Sequence, residues 1–320
     1  MRVVVFGANG YIGNRTVLNL AAHAHEVTGF VRSESAATAV RAAGATAVVG
    51  SLTDAKVLES VLATHEAIVW LVQLALEDEQ RVVDGLLRAI RKRGKTFVFT
   101  GGASVLSEST AGEWSENVYS EGDSFVPRRQ LRVRAETENI VRVASQYGVR
   151  SIVVRPPLVY GHGGCKVISD LYHSARQTGA VCYIGRGLNV YSHCHVDDVA
   201  ELIRLAIERG SSGALYHCVA GESTYRSMAE AIARSLEVAT RSVSMEEAEK
   251  IWDKFTATTV FSSCSRTRSP GARRELGWAP QRERSDILAE CLQPAYAAET
   301  GRNLASWIQP GNPSASTNPA

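Results

Sequence analysis

The chain has 320 residues, enough for one enlarged α/β domain or two ordinary ones. Hydrophobic residues make up 45% and charged residues 21%, which excludes an intrinsically disordered chain. Lys and Arg number 35 against 33 Asp and Glu, a net charge of +2 that is too even to point to nucleic acid or a membrane surface. The longest strongly apolar stretch, 67–76, is interrupted by Gln73 and is too short to span a bilayer. Four apolar residues followed by glycines at the N-terminus do not read as a signal peptide, and the six scattered cysteines form no CxxC pair. Reduced thiols in a cytoplasmic protein are the expectation.

Two periodicities alternate through the first half. Residues 2–6 form a buried-strand run, followed by glycines and by helical spacing over 11–22. A strand at 26–31, a helix at 35–43, a strand at 46–49 and a helix at 53–64 follow, the last opened by Thr53 or Asp54. Strand four is predicted at 67–72, a helix at 79–93 ended by Gly94, and strand five at 96–100. Such alternation builds right-handed βαβ crossovers, and so a parallel sheet covered on both faces. A loop rich in Ser, Glu and Gly spans 103–125, before a long helix at about 127–147 and a sixth strand at 150–155, stopped by Pro156 and Pro157.

Beyond that point the rhythm breaks. A glycine-rich loop at 161–164 leads to a helix at 167–177, a polar turn at 185–189, a helix at 197–208 and a strand at 214–219. Residues 221–308 read as mostly helical with weak strand signals, and 309–320 as a frayed tail rich in Pro, Ser and Asn. No internal repeat is present.

The strongest functional signal is Gly7-Ala8-Asn9-Gly10-Tyr11-Ile12-Gly13, directly after the first strand and opening a helix. A phosphate needs close backbone approach, which glycine permits at Gly7 and Gly10, and the free N–H groups and positive dipole end of a helix. Gly13 lets helix and strand pack closely. Three glycines alone are weak evidence; in a βαβ unit they point to a dinucleotide. The expected fold is therefore α/β: a Rossmann-type doubly wound parallel sheet from 1–160 and 193–221. A smaller, mostly helical C-terminal substrate-binding region would take 161–192 and 222–308.

The end of strand two selects the cofactor. A carboxylate there would bind the ribose diol and repel a 2′-phosphate, but the sequence reads Val31-Arg32-Ser33. Arg32 offers a planar donor fork and Ser33 a hydroxyl, so NADP(H) is expected, against the plain alternative of a solvated surface arginine. Ser51 and Leu52 should border the adenine, and Thr100 and Gly101 the nicotinamide ribose. Asn9, Tyr11, Ile12, Leu71 and Pro156 complete the expected cofactor contacts.

Across these pieces the chain resembles the short-chain dehydrogenase/reductase superfamily, in its extended or atypical, epimerase/dehydratase-like branch. The matching segments are Gly7–Gly13, Gly50-Ser51-Leu52-Thr53-Asp54, Phe97–Gly102, Arg155-Pro156-Pro157-Leu158-Val159-Tyr160-Gly161, His195-Val196-Asp197-Asp198-Val199-Ala200 and Glu275-Leu276-Gly277-Trp278. They run in family order to about residue 280. The catalytic positions depart from the pattern. The resemblance implies a Ser or Thr after strand five and a Tyr four residues before a Lys on the next long helix. At that spacing the ammonium can lower the phenol pKa while the phenol passes a proton. Here the serine position falls on Gly102, and the tyrosine and lysine positions on Gln130 and Arg134, with Glu138 matching the family's following glutamate. None of the six lysines has a tyrosine four residues before it, and no tyrosine lies between Tyr119 and Tyr147. The usual proton donor is absent.

Four residues are candidates to replace it. Arg134 could hold the nicotinamide ribose but cannot act as an acid near neutral pH. Gln130 could orient a carbonyl, although an exposed polar helix face explains both residues nearly as well. Tyr119 lies in the loop expected to face the site, where aromatics more often simply pack. His162, in the glycine-rich loop, carries an imidazole, the side chain best suited to moving a proton. Tyr160 reads as structural. His193-Cys194-His195 lacks suitably spaced partners, so no metal is expected, and His195 and Asp197 should cap the following helix.

Three functions are compatible with this pattern. The first is an NADP(H)-dependent oxidoreductase acting on a small organic substrate of secondary metabolism, with a non-standard proton donor. The second is a redox-neutral cyclase, isomerase or lyase working by positioning and electrostatics. The third is a non-catalytic NADP-sensing regulator. NADPH consumption, product formation independent of cofactor redox state, and tight binding without turnover separate them. The expected partner is a small-molecule substrate, with a homodimer left open.

Overall fold

The computed structural model describes residues 1–281 and 284–298. Its first half runs β1 (Arg2–Phe6), α1 (Tyr11–Ala22), β2 (Glu26–Val31), α2 (Glu34–Ala42), β3 (Thr46–Val49), α3 (Ala55–Thr64), β4 (Ala67–Trp70), α4 (Leu76–Ala89) and β5 (Thr96–Thr100). There follow β6 (Glu108–Ser109), α5 (Arg132–Val143), β7 (Arg150–Arg155), β8 (Leu158–Tyr160), α6 (Lys166–Thr178), β9 (Ala180–Ile184), β10 (Val190–His195) and α7 (Val196–Arg209). The chain continues with β11 (Leu215–His217), β12 (Gly221–Thr224), α8 (Tyr225–Leu236), β13 (Ala239–Val243), α9 (Met245–Trp252), β14 (Ser263–Cys264) and α10 (Pro270–Leu276).

Seven parallel strands form the main sheet in the order β11-β7-β5-β4-β1-β2-β3. The order reverses beside β1, where Phe6 is in register with Phe30 on one side and Trp70 on the other. At such a switch point the loops leaving adjacent strands diverge and open a crevice beyond their carboxyl ends. Both faces of the sheet are covered, as its continuous apolar strands require. Val17 and Leu20 of α1, Val40 of α2 and the apolar face of α7 pack on one side. Val61 and Leu62 of α3, Leu86 and Leu87 of α4 and Val141 of α5 pack on the other.

A separate core joins α6, β9, α8 and α9 with Ile287, Cys291 and Tyr296. It is more strand-rich than the sequence suggests: β8, β10 and β12 form one small sheet and β9 and β13 another. The polar turn expected at 185–189 does join two of these strands. The helix expected at 127–147 is cut to Arg132–Val143, flanked by 3₁₀ turns, because Arg128 is extended (φ −58, ψ 146) and Gly148 takes a left-handed cap (φ 73). Helix α3 starts at Ala55, capped by Asp54, and α4 starts three residues early, its first turn enriched in Glu77, Asp78 and Glu79. All six cysteines are buried as thiols. Among the described residues no helix is long and apolar enough to cross a membrane. Residues 299–308 of the predicted substrate region and the predicted tail, 309–320, lie outside the described residues.

Candidate active site

The turn after β1 is built by close backbone contacts. Gly7 has φ +82, and a Cβ there would lie 2.7 Å from the Leu71 carbonyl oxygen leaving β4. A Cβ on Gly13 would lie 2.0 Å from the Gly7 oxygen, so glycine at 13 lets α1 sit directly on the turn. Gly10 behaves differently. Its φ is −75 and its Cβ position is 3.2 Å from the nearest atom, the Gly7 oxygen. The chain's own packing therefore presses on position 10 far less than on 7 and 13. Helix α1 has no side-chain cap and no acidic residue in its first turn, so its leading N–H groups and dipole face the crevice. Asn9 is exposed there, and Tyr11 and Ile12 are half-buried. The turn fits a dinucleotide pyrophosphate.

The neighbouring strand ends complete the rim. Arg32 is exposed at the end of β2, while Ser33 caps α2 by accepting from the Ala36 N–H at 3.3 Å. Glu34, the first acid after β2, pairs with Arg41. Ser51 Oγ bonds Thr53 Oγ1 at 2.8 Å, and Leu52 is half-buried beside it. At the tip of β5, Thr100 Oγ1 is buried without a partner among the described residues. Pro156 is buried, and its carbonyl accepts from the Ala103 N–H at 2.9 Å. A Cβ on Gly101 would lie 2.1 Å from Glu138 Oε1, a contact that brings α5 against the strand end.

Helix α5 carries Arg134 and Glu138, and both are ion-paired. Arg134 Nη1 lies 2.8 Å from Glu79 Oε2 on α4, and Trp70 Nε1 donates to Glu79 Oε1 at 3.2 Å. Glu79 is 1% exposed; burial pushes its carboxyl up and Arg134 opposes this. Arg155, ending β7, donates from Nε and Nη2 to Glu138 Oε2 at 2.9 and 2.5 Å. Gln130 precedes α5 in a 3₁₀ turn and is exposed; with its amide oxygen turned to Arg128 it accepts at 2.9 and 3.1 Å. Arg128 also donates to Ser263 Oγ and the Thr258 carbonyl, both at 2.8 Å. Gln130 is thus tied to the C-terminal segment, and Arg134 to α4.

Tyr119 and His162 stand apart from those two. Tyr119 donates to Glu108 Oε1 at 3.3 Å in a loop bridged to Thr267, and burial together with Glu108 raises its phenol pKa. His162, at φ +53, places Nε2 2.9 Å from Asp197 Oδ2, its side chain 49% exposed. Its loop lies on the nucleotide turn, because Tyr11 donates to the Gly161 carbonyl at 2.7 Å. His195 alone caps α7, its Nδ1 accepting from the Asp197 N–H at 3.2 Å. The Asp197 carboxylate does not cap; it meets Arg15 at 2.5 Å and Arg284 at 3.2 Å. Burial pushes that carboxyl up, but hydrogen bonds from Arg15 and His162 outweigh it and hold it below its ordinary value. His162, His195 and Asp197 bring one ligand atom each within 4.8 Å of one another, on a carboxylate that two guanidinium groups already share.

Comparison with known proteins decides the family. The model of the NAD dependent epimerase/dehydratase family matches residues 3–220. The chain belongs to that family. Its relatives include an uncharacterized protein of Schizosaccharomyces pombe, 31% identical over 306 residues, covering 92% of this chain and 100% of that one. A 4-hydroxy-2-methyl-3-oxo-4-farnesyl-3,4-dihydroquinoline-1-oxide ketoreductase of Stigmatella aurantiaca is 27% identical over 233 residues, 69% of either chain. The crystal structure of dTDP-glucose 4,6-dehydratase from Bacillus anthracis in complex with NAD superposes with a TM-score of 0.73 at 18% identity, covering 95% of this chain and 98% of that one. That likeness speaks for the shared fold.

Within the NAD dependent epimerase/dehydratase family, a nicotinamide dinucleotide is the cofactor to which the glycine turn must answer, and an enzyme is the class to expect. Sequence reasoning did not single out Glu79. Its signal was weak: one acid among three in the first turn of a helix, where dipole complementarity already explains it. In the sequence Arg155 is one residue of a motif, and its pairing with Glu138 depends on β7 and α5 lying side by side.

Proposed function

We propose that the chain is an NADP(H)-dependent oxidoreductase that reduces a carbonyl group of a small organic compound, of the kind met in secondary metabolism, in the cytoplasm. The observation that carries the cofactor choice is at the end of β2: an exposed arginine followed by a serine, with no carboxylate at the strand end. In this reading the α1 N–H groups and the Gly7–Gly13 turn hold the pyrophosphate, and Arg32 and Ser33 hold the 2′-phosphate. Ser51 and Leu52 border the adenine, while Leu71, Thr100, Gly101 and Pro156 border the nicotinamide ribose. The ketoreductase among the relatives supports carbonyl reduction as the chemistry.

NADPH, when bound, supplies a hydride to the carbonyl carbon; the C=O π bond opens and the oxygen takes up a proton. The chain's own part is to orient that oxygen, exclude water and deliver the proton. Tyr119 and His162 are the candidate donors. Gln130 and Arg134 act by positioning, since neither gives up a proton near neutral pH. Arg134 would do so while paired with Glu79 on α4. The substrate is held by residues within 161–192 and 222–308.

The test is a fluorescence titration with NADPH and NADH, followed by NADPH absorbance in the presence of aliphatic ketones and 3-oxo esters. Tighter binding of NADPH and its stoichiometric consumption are expected. Product formed without net loss of NADPH would instead mark redox-neutral chemistry, and tight binding with no product would mark a sensor.

A further inference from the structure

The family's serine after β5 is missing because the position is Gly102, yet a hydroxyl stands beside the gap. Gly102 is extended (φ −172, ψ 140), a conformation open to any residue. A Cβ built on it would meet a single neighbour within 4 Å: Ser104 Oγ, at 3.5 Å. Ser104 belongs to the 3₁₀ turn Ala103–Leu106 and is half-buried. That turn is held from several sides. The Ala103 N–H donates to the Pro156 carbonyl at 2.9 Å and the Val105 N–H to the Gly102 carbonyl at 3.3 Å. Ser265 Oγ donates to the Ala103 carbonyl at 3.2 Å. Val105 and Leu106 are buried against Leu131 at the start of α5. The turn is thus held in place, and its Ser104 hydroxyl borders the space a side chain at 102 would enter, two residues along the chain.

We propose that Ser104 is a catalytic residue: its hydroxyl donates a hydrogen bond to the reacting substrate oxygen, in place of the absent serine at 102. This deepens the carbonyl-reductase reading and rests on it for the identity of that oxygen. A fixed donor aimed at developing negative charge acts in the transition state without reorganising. A serine stays protonated throughout, so the role is orientation and charge stabilisation, with the proton arriving from another group or from water.

The test uses the full-length protein in three forms: Ser104→Ala, Ser104→Thr, and Gly102→Ser in the Ser104→Ala background. Two readouts are taken: NADPH consumption with methyl 3-oxooctanoate, and the infrared carbonyl stretch of the same ester, ¹³C-labelled at C3, bound to the protein with NADP⁺. Ser104→Ala is expected to lower kcat about 10- to 100-fold with NADPH affinity and thermal midpoint unchanged. Ser104→Thr and the Gly102→Ser double variant should recover most of the loss. The red-shifted carbonyl stretch should vanish in Ser104→Ala and return in the other two. Wild-type turnover that survives Ser104→Ala, or a loss that the relocated hydroxyl does not rescue, overturns the proposal and leaves the reductase reading standing. A Ser104-dependent stretch without NADPH consumption does the opposite. No shift and no consumption overturn both.

Discussion

Arg134 on α5 and Glu79 on α4 meet at 2.8 Å, and the carboxylate, which also accepts from Trp70, is almost wholly out of water. Breaking a buried pair from one side strands the other charge, which costs about 3–5 kcal/mol. Arg134→Gln is therefore expected to destabilise by about that much in urea unfolding. Glu79→Gln should cost less, about 1–2 kcal/mol, since the Arg134 side chain it leaves unpaired still reaches water at 17% exposure and the new amide oxygen still accepts from Trp70 Nε1. The double variant should recover much of the Arg134→Gln loss. Because burial raises the Glu79 carboxyl and Arg134 opposes it, the Arg134→Gln deficit should shrink as pH falls and protonation removes the stranded charge. An Arg134→Gln loss below about 0.5 kcal/mol at neutral pH would place the pair outside the core.

Gly10 and Gly13 separate ligand approach from protein packing. Gly13→Ala drives a methyl into the Gly7 carbonyl, 2.0 Å away, and should cost about 1–3 kcal/mol or more by overpacking. Gly10→Ala faces 3.2 Å at an ordinary φ and should change stability by less than about 1 kcal/mol. Its NADPH affinity should nonetheless fall at least about tenfold, because the methyl occupies the approach to the α1 N–H groups. Thermal melts and fluorescence titrations of the two variants read this directly; equal affinities for wild type and Gly10→Ala would move the pyrophosphate elsewhere.

Arg32 is exposed at the crevice rim, so its replacement should leave the fold untouched. Arg32→Ala is expected to weaken NADPH binding about 10- to 100-fold while changing NADH by no more than about threefold, a difference of about 1.4–2.8 kcal/mol. The NADPH preference of the wild type should also decline with added salt, since the contact is at the surface. Equal losses for both cofactors would mean that Arg32 contacts something other than the 2′-phosphate.

His217 is fully buried, with Nδ1 donating to the Arg268 carbonyl at 2.9 Å and Nε2 facing Arg155 at 3.4 Å. Burial, then the Arg155 charge, pushes it from 6.5 down to about 4, so the fold holds a neutral imidazole. The unfolded chain binds this proton more readily. The stabilisation is thus complete above pH 6.5 and is lost as pH falls from 6.5 towards 4, by up to about 3 kcal/mol for this residue. Burial moves His193 and His195 the same way. Denaturant melts across that range should show a steep decline, less steep in His217→Gln; parallel curves would show that His217 does not contribute.

The covalent sequence by itself determined much of this protein. Strands β1, β2, β3 and β5 and helix α1 fall on the residues their periodicity marks, because an apolar run or stripe buried in a layered sheet must be written locally. The glycine turn, the arginine after β2 and the absence of a Tyr and Lys four apart are likewise facts of the chain. Tertiary structure alone decided the rest. The β10 run Val190–His195 is half polar yet wholly buried, and nothing local announces a strand. Its Ser192 hydroxyl accepts from the Thr267 N–H, and its Ser192 N–H donates to the Ser265 carbonyl, partners far along the chain. Glu79 found Arg134 in the same way. Periodicity reports which face of one element avoids water, whereas desolvated polar groups are stable only opposite partners that folding brings to them.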